Sequence, residues 1–169
     1  MKQLAAPALD AVDAVKCDLA AEALRSSGTL RLPARGSSML PTILPGDVLT
    51  LEQAASEGVS KGDIVLFTRN RRLFAHRVVE KVGESSGMHL ITQGDGMALP
   101  DPPVTESELL GKVAFILRNG RLILPSPRQR LSERAVSVLV RRFDAAARIV
   151  VGLHQIRRAL QEQSTPCQS

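Results

Sequence analysis

Apolar residues recur every three to four positions at the start of the chain, every second position through its middle, and every three to four again near its end. Leu4, Ala8, Val12, Val15, Leu19 and Ala23, with Leu24 beside the last, share one side of a helical net. Asp10, Asp13, Lys16 and Asp18 mostly take the other sides, which predicts an amphipathic helix over residues 4–26. Pro7 falls in its first turn, where a missing N–H is tolerated. Ser26-Ser27-Gly28 supplies the stop. From Thr29 onward the period becomes two, and the pattern predicts strands over 29–32, 48–51, 64–68, 73–82, 88–92, 109–117 and 121–124.

Turn chemistry separates these strands. Pro45-Gly46-Asp47, Lys61-Gly62-Asp63 and Gln93-Gly94-Asp95 each place a glycine, able to take positive φ, before an aspartate that can bond back to nearby amides. Asn119-Gly120 between apolar runs marks a tight hairpin, and a second is expected at 69–72. The fold class is therefore mainly β with flanking helices: a small, partly closed antiparallel barrel or sandwich of about seven strands. Pro125-Ser126-Pro127 closes the β region. Beyond it, Val136, Leu139, Val140, Phe143, Ala147, Val150, Leu153, Ile156 and Leu160 form one stripe of a helix beginning at Ser132, with Arg134, Arg141, Arg148 and Arg158 off the stripe. The expected organisation is a helix in 1–28, a β domain in 29–125, and a basic amphipathic helix and tail in 126–169.

Composition narrows the choice of function. At 44% apolar residues over 169 positions the chain can bury a core, and its length suits one domain. Four phenylalanines with no tryptophan or tyrosine leave no stacking platform for single-stranded nucleic acid, and no nucleic-acid partner is expected. Between Arg118 and Arg158 ten arginines face only Glu133 and Asp144, a net +8, so with a total of +5 the remainder carries about −3. That basic helix, residues 131–160, would either pack on the β domain or the first helix, or lie on an anionic membrane surface. Cys17 and Cys167 match no metal spacing and read as two unpaired thiols. There is no run long enough to span a bilayer and no secretory signal pattern, so the expected location is cytoplasmic or peripheral on the inner face of a membrane.

Candidate chemistry centres on Gly36-Ser37-Ser38-Met39-Leu40-Pro41-Thr42, a turn-forming stretch that would hold a serine in place yet reachable. A serine hydroxyl needs a base to attack a carbonyl. His76 shares a strand face with Phe74, Val78 and Val82, while Arg77 and Lys81 take the opposite face. An inward histidine of this kind is either a satisfied core residue or a base. Asp101, in Leu99-Pro100-Asp101-Pro102-Pro103, is held by prolines on both sides. Asp95 reads as a turn-stabilising aspartate.

The order of these motifs is itself informative. Gly36 to Thr42 with Pro45-Gly46-Asp47, then Lys61-Gly62-Asp63-Ile64-Val65, His76-Arg77-Val78-Val79, Thr92-Gln93-Gly94-Asp95 with Pro100-Asp101, and Gly111-Lys112-Val113 together resemble the type I signal peptidases. The likeness is to the endoplasmic-reticulum and archaeal branch, where histidine stands in place of the bacterial lysine, and it spans about residues 35–120. It implies a β peptidase core needing neither metal nor cofactor, with Ser38 as nucleophile, His76 as general base and Asp101 as the acid that orients it. It also implies supporting places for Asp95 and for Ser37 near the oxyanion, and a pocket-lining place for Met39. The substrate would be an extended segment of a peptide or protein precursor. Relatives carry serine where this chain has Gly36, asparagines where it has Gly96-Met97-Ala98, and a membrane-spanning anchor. A self-cleaving regulator of the SOS and phage-repressor kind, and a non-catalytic binding module on the same fold, are the competing readings.

Overall fold

The computed structural model describes residues 6–84 and 87–127. Among these described residues lie one α-helix, α1 (Ala6–Ser27), and seven strands after it: β1 (Thr29–Pro33), β2 (Val48–Gln53), β3 (Ile64–Arg69), β4 (Arg72–Glu84), β5 (Gly87–Gln93), β6 (Leu109–Arg118) and β7 (Arg121–Ile123). A short 3-10 turn at Ser56–Gly58 was not foreshadowed by the hydrophobic pattern. The helix expected from Ser132 lies outside the described residues, as does Cys167.

All pairings are antiparallel, and the strands run β1-β2-β6-β3-β4-β5, with β7 folded back on β6. Both expected hairpins form. Asn70 and Arg71 have φ of 50° and 58°, and Asn119 and Gly120 have 50° and 75°, so each pair supplies the left-handed conformations of a primed turn. Gly28 ends α1 with φ of 71°, and its N–H reaches Leu24 O at 2.9 Å.

The sheet is covered on both faces. One core cluster joins Leu24, Met39, Ile43, Leu49, Leu51, Ile64, Leu66, Val113 and Ile116. The other joins Val59, Val65, Phe67, Val78, Leu90, Val104 and Leu109. Strand β3 serves both: Ile64 and Leu66 point into the first cluster, Val65 and Phe67 into the second. This is why its sequence is a continuous apolar run rather than an alternation. The neighbouring β4 inherits two inner faces, so His76 and Arg77 are both buried although they point in opposite directions.

The helix seats itself differently from its expected stripe. Cys17, Ala20 and Leu24 are buried against the sheet, whereas Val15 and Leu19 are 55% and 64% exposed. Small side chains at 17 and 20 let the helix lie close to the strands, with Leu24 reaching the core. The larger aliphatic residues of the competing stripe are turned outward. Among the described residues no helix is long and apolar enough to cross a membrane.

Candidate active site

The loop between β1 and β2 carries Ser38 and is anchored at several points. Met39, Leu40 and Ile43 plug into the interior, at 3%, 0% and 2% exposure, and Ile43 N–H donates to Met39 O at 3.0 Å. Further along, Asp47 is buried and accepts the Leu44 N–H at 2.8 Å. The Arg118 guanidinium at the end of β6 grips the Asp47 carboxylate, with Nη2 at 2.7 Å, and also donates to Thr42 O at 2.8 Å. Ser38 is thus presented by a turn whose flanks cannot drift, while it remains only partly buried itself.

His76 reaches this serine from β4. Its Nε2 lies 3.0 Å from Ser38 Oγ, and its Nδ1 lies 2.7 Å from Asp101 Oδ2. An ionised carboxylate can only accept, so Nδ1 carries the ring proton and Nε2 is left to accept from the serine hydroxyl. Phe67 and Phe74 flank the ring with centroids 5.9 Å away, which fixes its plane. Thr92 Oγ1 donates to the same Asp101 oxygen at 2.7 Å, and Asp101 N–H donates to Thr92 O at 2.7 Å. Burial by itself would raise the Asp101 carboxyl. Hydrogen bonds from His76 and Thr92, together with the charge of Arg69, outweigh it and hold the group below its ordinary value.

Asp95 lies in the 94–97 turn, and its carboxylate reaches beyond that turn. It is buried and receives a two-pronged ion pair from Arg77, Nε to Oδ1 at 2.9 Å and Nη2 to Oδ2 at 2.8 Å. The Thr42 hydroxyl also donates to Asp95 Oδ2. The remaining Arg77 prong, Nη1, donates to Gly62 O at 2.8 Å and Ser126 O at 2.7 Å. One buried guanidinium therefore ties four segments together behind the serine: the β3 entry, β4, the 94–97 turn and the chain leaving β7. A buried pair so fully hydrogen-bonded avoids the desolvation penalty of an unpaired charge.

Met39 is a core residue, and its sulfur accepts the Asp95 N–H at 3.4 Å. Ser37 is exposed, and its carbonyl accepts the Leu40 N–H at 3.1 Å. Gly94 serves contact rather than positive φ. A Cβ there would stand 2.6 Å from Ser38 O and 3.2 Å from His76 Nε2. Next to it Gly96 N–H donates to Ser38 O at 2.8 Å, so the 94–97 turn closes directly on the serine. Among the described residues no group of three or more histidine, cysteine or acidic side chains is placed to hold a metal ion.

Comparison with protein families gives a match to the Peptidase S24-like model over residues 5–114. That span is well over half of the chain and includes Ser38, His76, Asp95 and Asp101. The chain belongs to the Peptidase S24-like family. Peptidase S24-like proteins are serine peptidases and self-cleaving proteins, and a β-dominated sheet with one helix in its described part agrees with that membership. Comparisons with curated proteins and with solved structures each returned no match.

The expectations meet the geometry unevenly. Ser38, His76 and Asp101 come together in one line. Asp95 lies behind them, Met39 beneath them, and Ser37 on the surface beside them. Arg69, Arg77, Arg118 and Thr92 were not singled out from sequence as site-forming side chains. The available hint was an arginine inside a strand next to an inward histidine.

Proposed function

We propose that this Peptidase S24-like chain is a serine endopeptidase that cleaves an exposed, extended segment of a peptide or protein precursor. The observation that carries the reading is the line Ser38 Oγ, His76 Nε2 at 3.0 Å, His76 Nδ1, Asp101 Oδ2 at 2.7 Å. In this reading the Ser38 oxygen attacks the scissile carbonyl carbon while its proton passes to His76 Nε2. Asp101 steadies the imidazolium that results. The tetrahedral oxyanion is held by the Ser38 backbone N–H, and collapse of the intermediate returns the proton to the departing amine. Water then releases the acyl group by the same route. The histidine base favours the signal-peptidase branch with histidine over lysine-based relatives. Residues 131–160 would either pack on the β domain or the first helix, or bring the enzyme to an anionic membrane surface.

Membership of a family that includes self-cleaving proteins supports a second reading, in which the segment cleaved belongs to the chain itself. One experiment separates the two. The purified chain and its Ser38→Ala variant are incubated at raised pH, alone and with an unfolded protein substrate. Peptide fragments of the added protein, absent with Ser38→Ala, support the endopeptidase. Two fragments of the chain alone, also absent with Ser38→Ala, support self-cleavage. Neither product in either incubation removes both readings and leaves the non-catalytic module.

A further inference from the structure

The loop that delivers Asp101 has an unusual problem of support. Its amino side is tied by the Asp101 N–H to Thr92 O at 2.7 Å. On its carboxyl side come Pro102 and Pro103, which have no N–H and cannot join a ladder. The chain regains backbone pairing only at Val104, which exchanges hydrogen bonds with Leu90 at 2.8 and 3.0 Å. Across this gap the backbone offers only the carbonyls of Asp101, Pro102 and Pro103, and they can only accept.

Arg69, the last residue of β3, supplies the donors. Its Nη1 lies 3.0 Å from Pro102 O and its Nη2 2.8 Å from Pro103 O. The guanidinium is itself held rigid. Glu108 takes Nε at 2.9 Å and Nη2 at 2.8 Å, and the Phe67 ring lies beneath with its centroid 5.4 Å from Cζ. Phe67 in turn meets the His76 ring edge-on. All three guanidinium nitrogens are thus engaged, and one planar group links β3, the Asp101 loop and the start of β6.

We propose that Arg69 is a positioning residue for the reaction. By holding the Pro102 and Pro103 carbonyls it keeps the Asp101 carboxylate on His76 Nδ1, and so keeps Nε2 aimed at Ser38. The inference rests on the reading of Ser38 as a nucleophile. Arg69 touches no reacting atom; it acts through Asp101. Its positive charge also favours the ionised carboxylate that the Nδ1 proton requires. Glu108 is the counterpart that fixes Arg69, and the same pair holds the Glu108 carboxyl below its usual value.

The test is a mutant cycle read by the rate at which a fluorophosphonate probe labels Ser38. Arg69→Gln should slow labelling by about 100-fold, the cost of a small misplacement of reacting groups. In an Asp101→Asn background the same change should alter the rate by less than about twofold, because the group through which Arg69 acts is already gone. Arg69→Lys, which keeps the charge and one donor, should recover part of the loss. It replaces Arg69→Gln in both backgrounds if the latter does not fold. A comparable loss in both backgrounds, or no loss in the first, overturns the proposal.

A second readout does not depend on activity. The far-downfield proton resonance of the His76 Nδ1–H bonded to Asp101 should be sharp in the unaltered chain and lost in Arg69→Gln at a temperature where the variant is folded. Its persistence in that variant overturns the proposal. Failure of the unaltered chain to label removes the nucleophile reading instead, while this resonance still decides whether Arg69 holds Asp101 against His76.

Discussion

Asp101 and His76 meet through Oδ2 and Nδ1 at 2.7 Å, and Thr92 donates to that same carboxylate oxygen. The carboxylate is therefore doubly solvated by protein, which more than offsets its burial and holds it below the ordinary carboxylate value.

A pH dependence follows from that depression. The folded state binds fewer protons at Asp101 than the unfolded state over the window between the two values. Asp101 thus stabilises the fold fully above its unfolded value, and the contribution is lost as pH falls through the lower folded one. Asp101→Asn should be less stable than the unaltered chain at neutral pH, and the gap should begin to close only as pH falls below about 4, the ordinary carboxylate value. Urea midpoints measured across pH check this. A gap that stays constant with pH would contradict it.

Gly94 and Gly96 offer a graded pair. A methyl at 94 would stand 2.6 Å from Ser38 O, against 3.3 Å for one at 96. The first contact is with backbone, which has nowhere to retreat without moving the serine. Gly94→Ala should lower Ser38 labelling by about 100-fold, and Gly96→Ala by far less. Equal effects of the two substitutions would show that the close approach does not set the serine's position.

Arg77 and Asp95 should reveal a buried pair by their double substitution. Arg77→Met takes the two-pronged guanidinium from a buried carboxylate, a loss of about 3–5 kcal/mol. Adding Asp95→Leu should restore a substantial part of that, since the buried charge is removed as well. The chemical-denaturation free energies of the two singles and the double decide the matter. Simple addition of the two losses would mean that the pair is not coupled.

Gly36 is exposed, and a Cβ there meets nothing within 4 Å. Gly36→Ser is therefore sterically free and places a hydroxyl two residues before Ser38, the position at which the signal-peptidase pattern that the sequence resembles has a serine. If that hydroxyl joins the oxyanion site, Ser38 labelling should rise by about 10-fold or more, a conservative share of what one such donor contributes elsewhere. An unchanged rate would mean that the oxyanion is already fully served, or that position 36 does not face it.

Much of the fold was legible because periodicity reports burial directly. Each of the seven strands falls within a few residues of its expected place, and the Asn119-Gly120 turn does what its residue types dictate. The inward direction of His76 was legible for the same reason. What alternation could not show is that β4 has two inner faces, because this depends on β3 being sandwiched between both core clusters. Arg77 and Arg69 stayed hidden since their acidic partners are 18 and 39 residues away, a distance bridged only by strand register. The helix was mis-seated because it offers two apolar stripes, and closeness of packing, rather than size of side chain, chose between them.

The central claim is that Ser38 is a nucleophile activated by His76. Its most direct measurement is mass-spectrometric mapping of the residue modified by a fluorophosphonate probe at neutral pH. The account predicts a single stoichiometric adduct on Ser38, with none on Ser37, and its loss in His76→Ala while the variant keeps its fold. Modification no greater than that of the Ser38→Ala control, or an adduct on Ser38 that forms equally fast without His76, would contradict it.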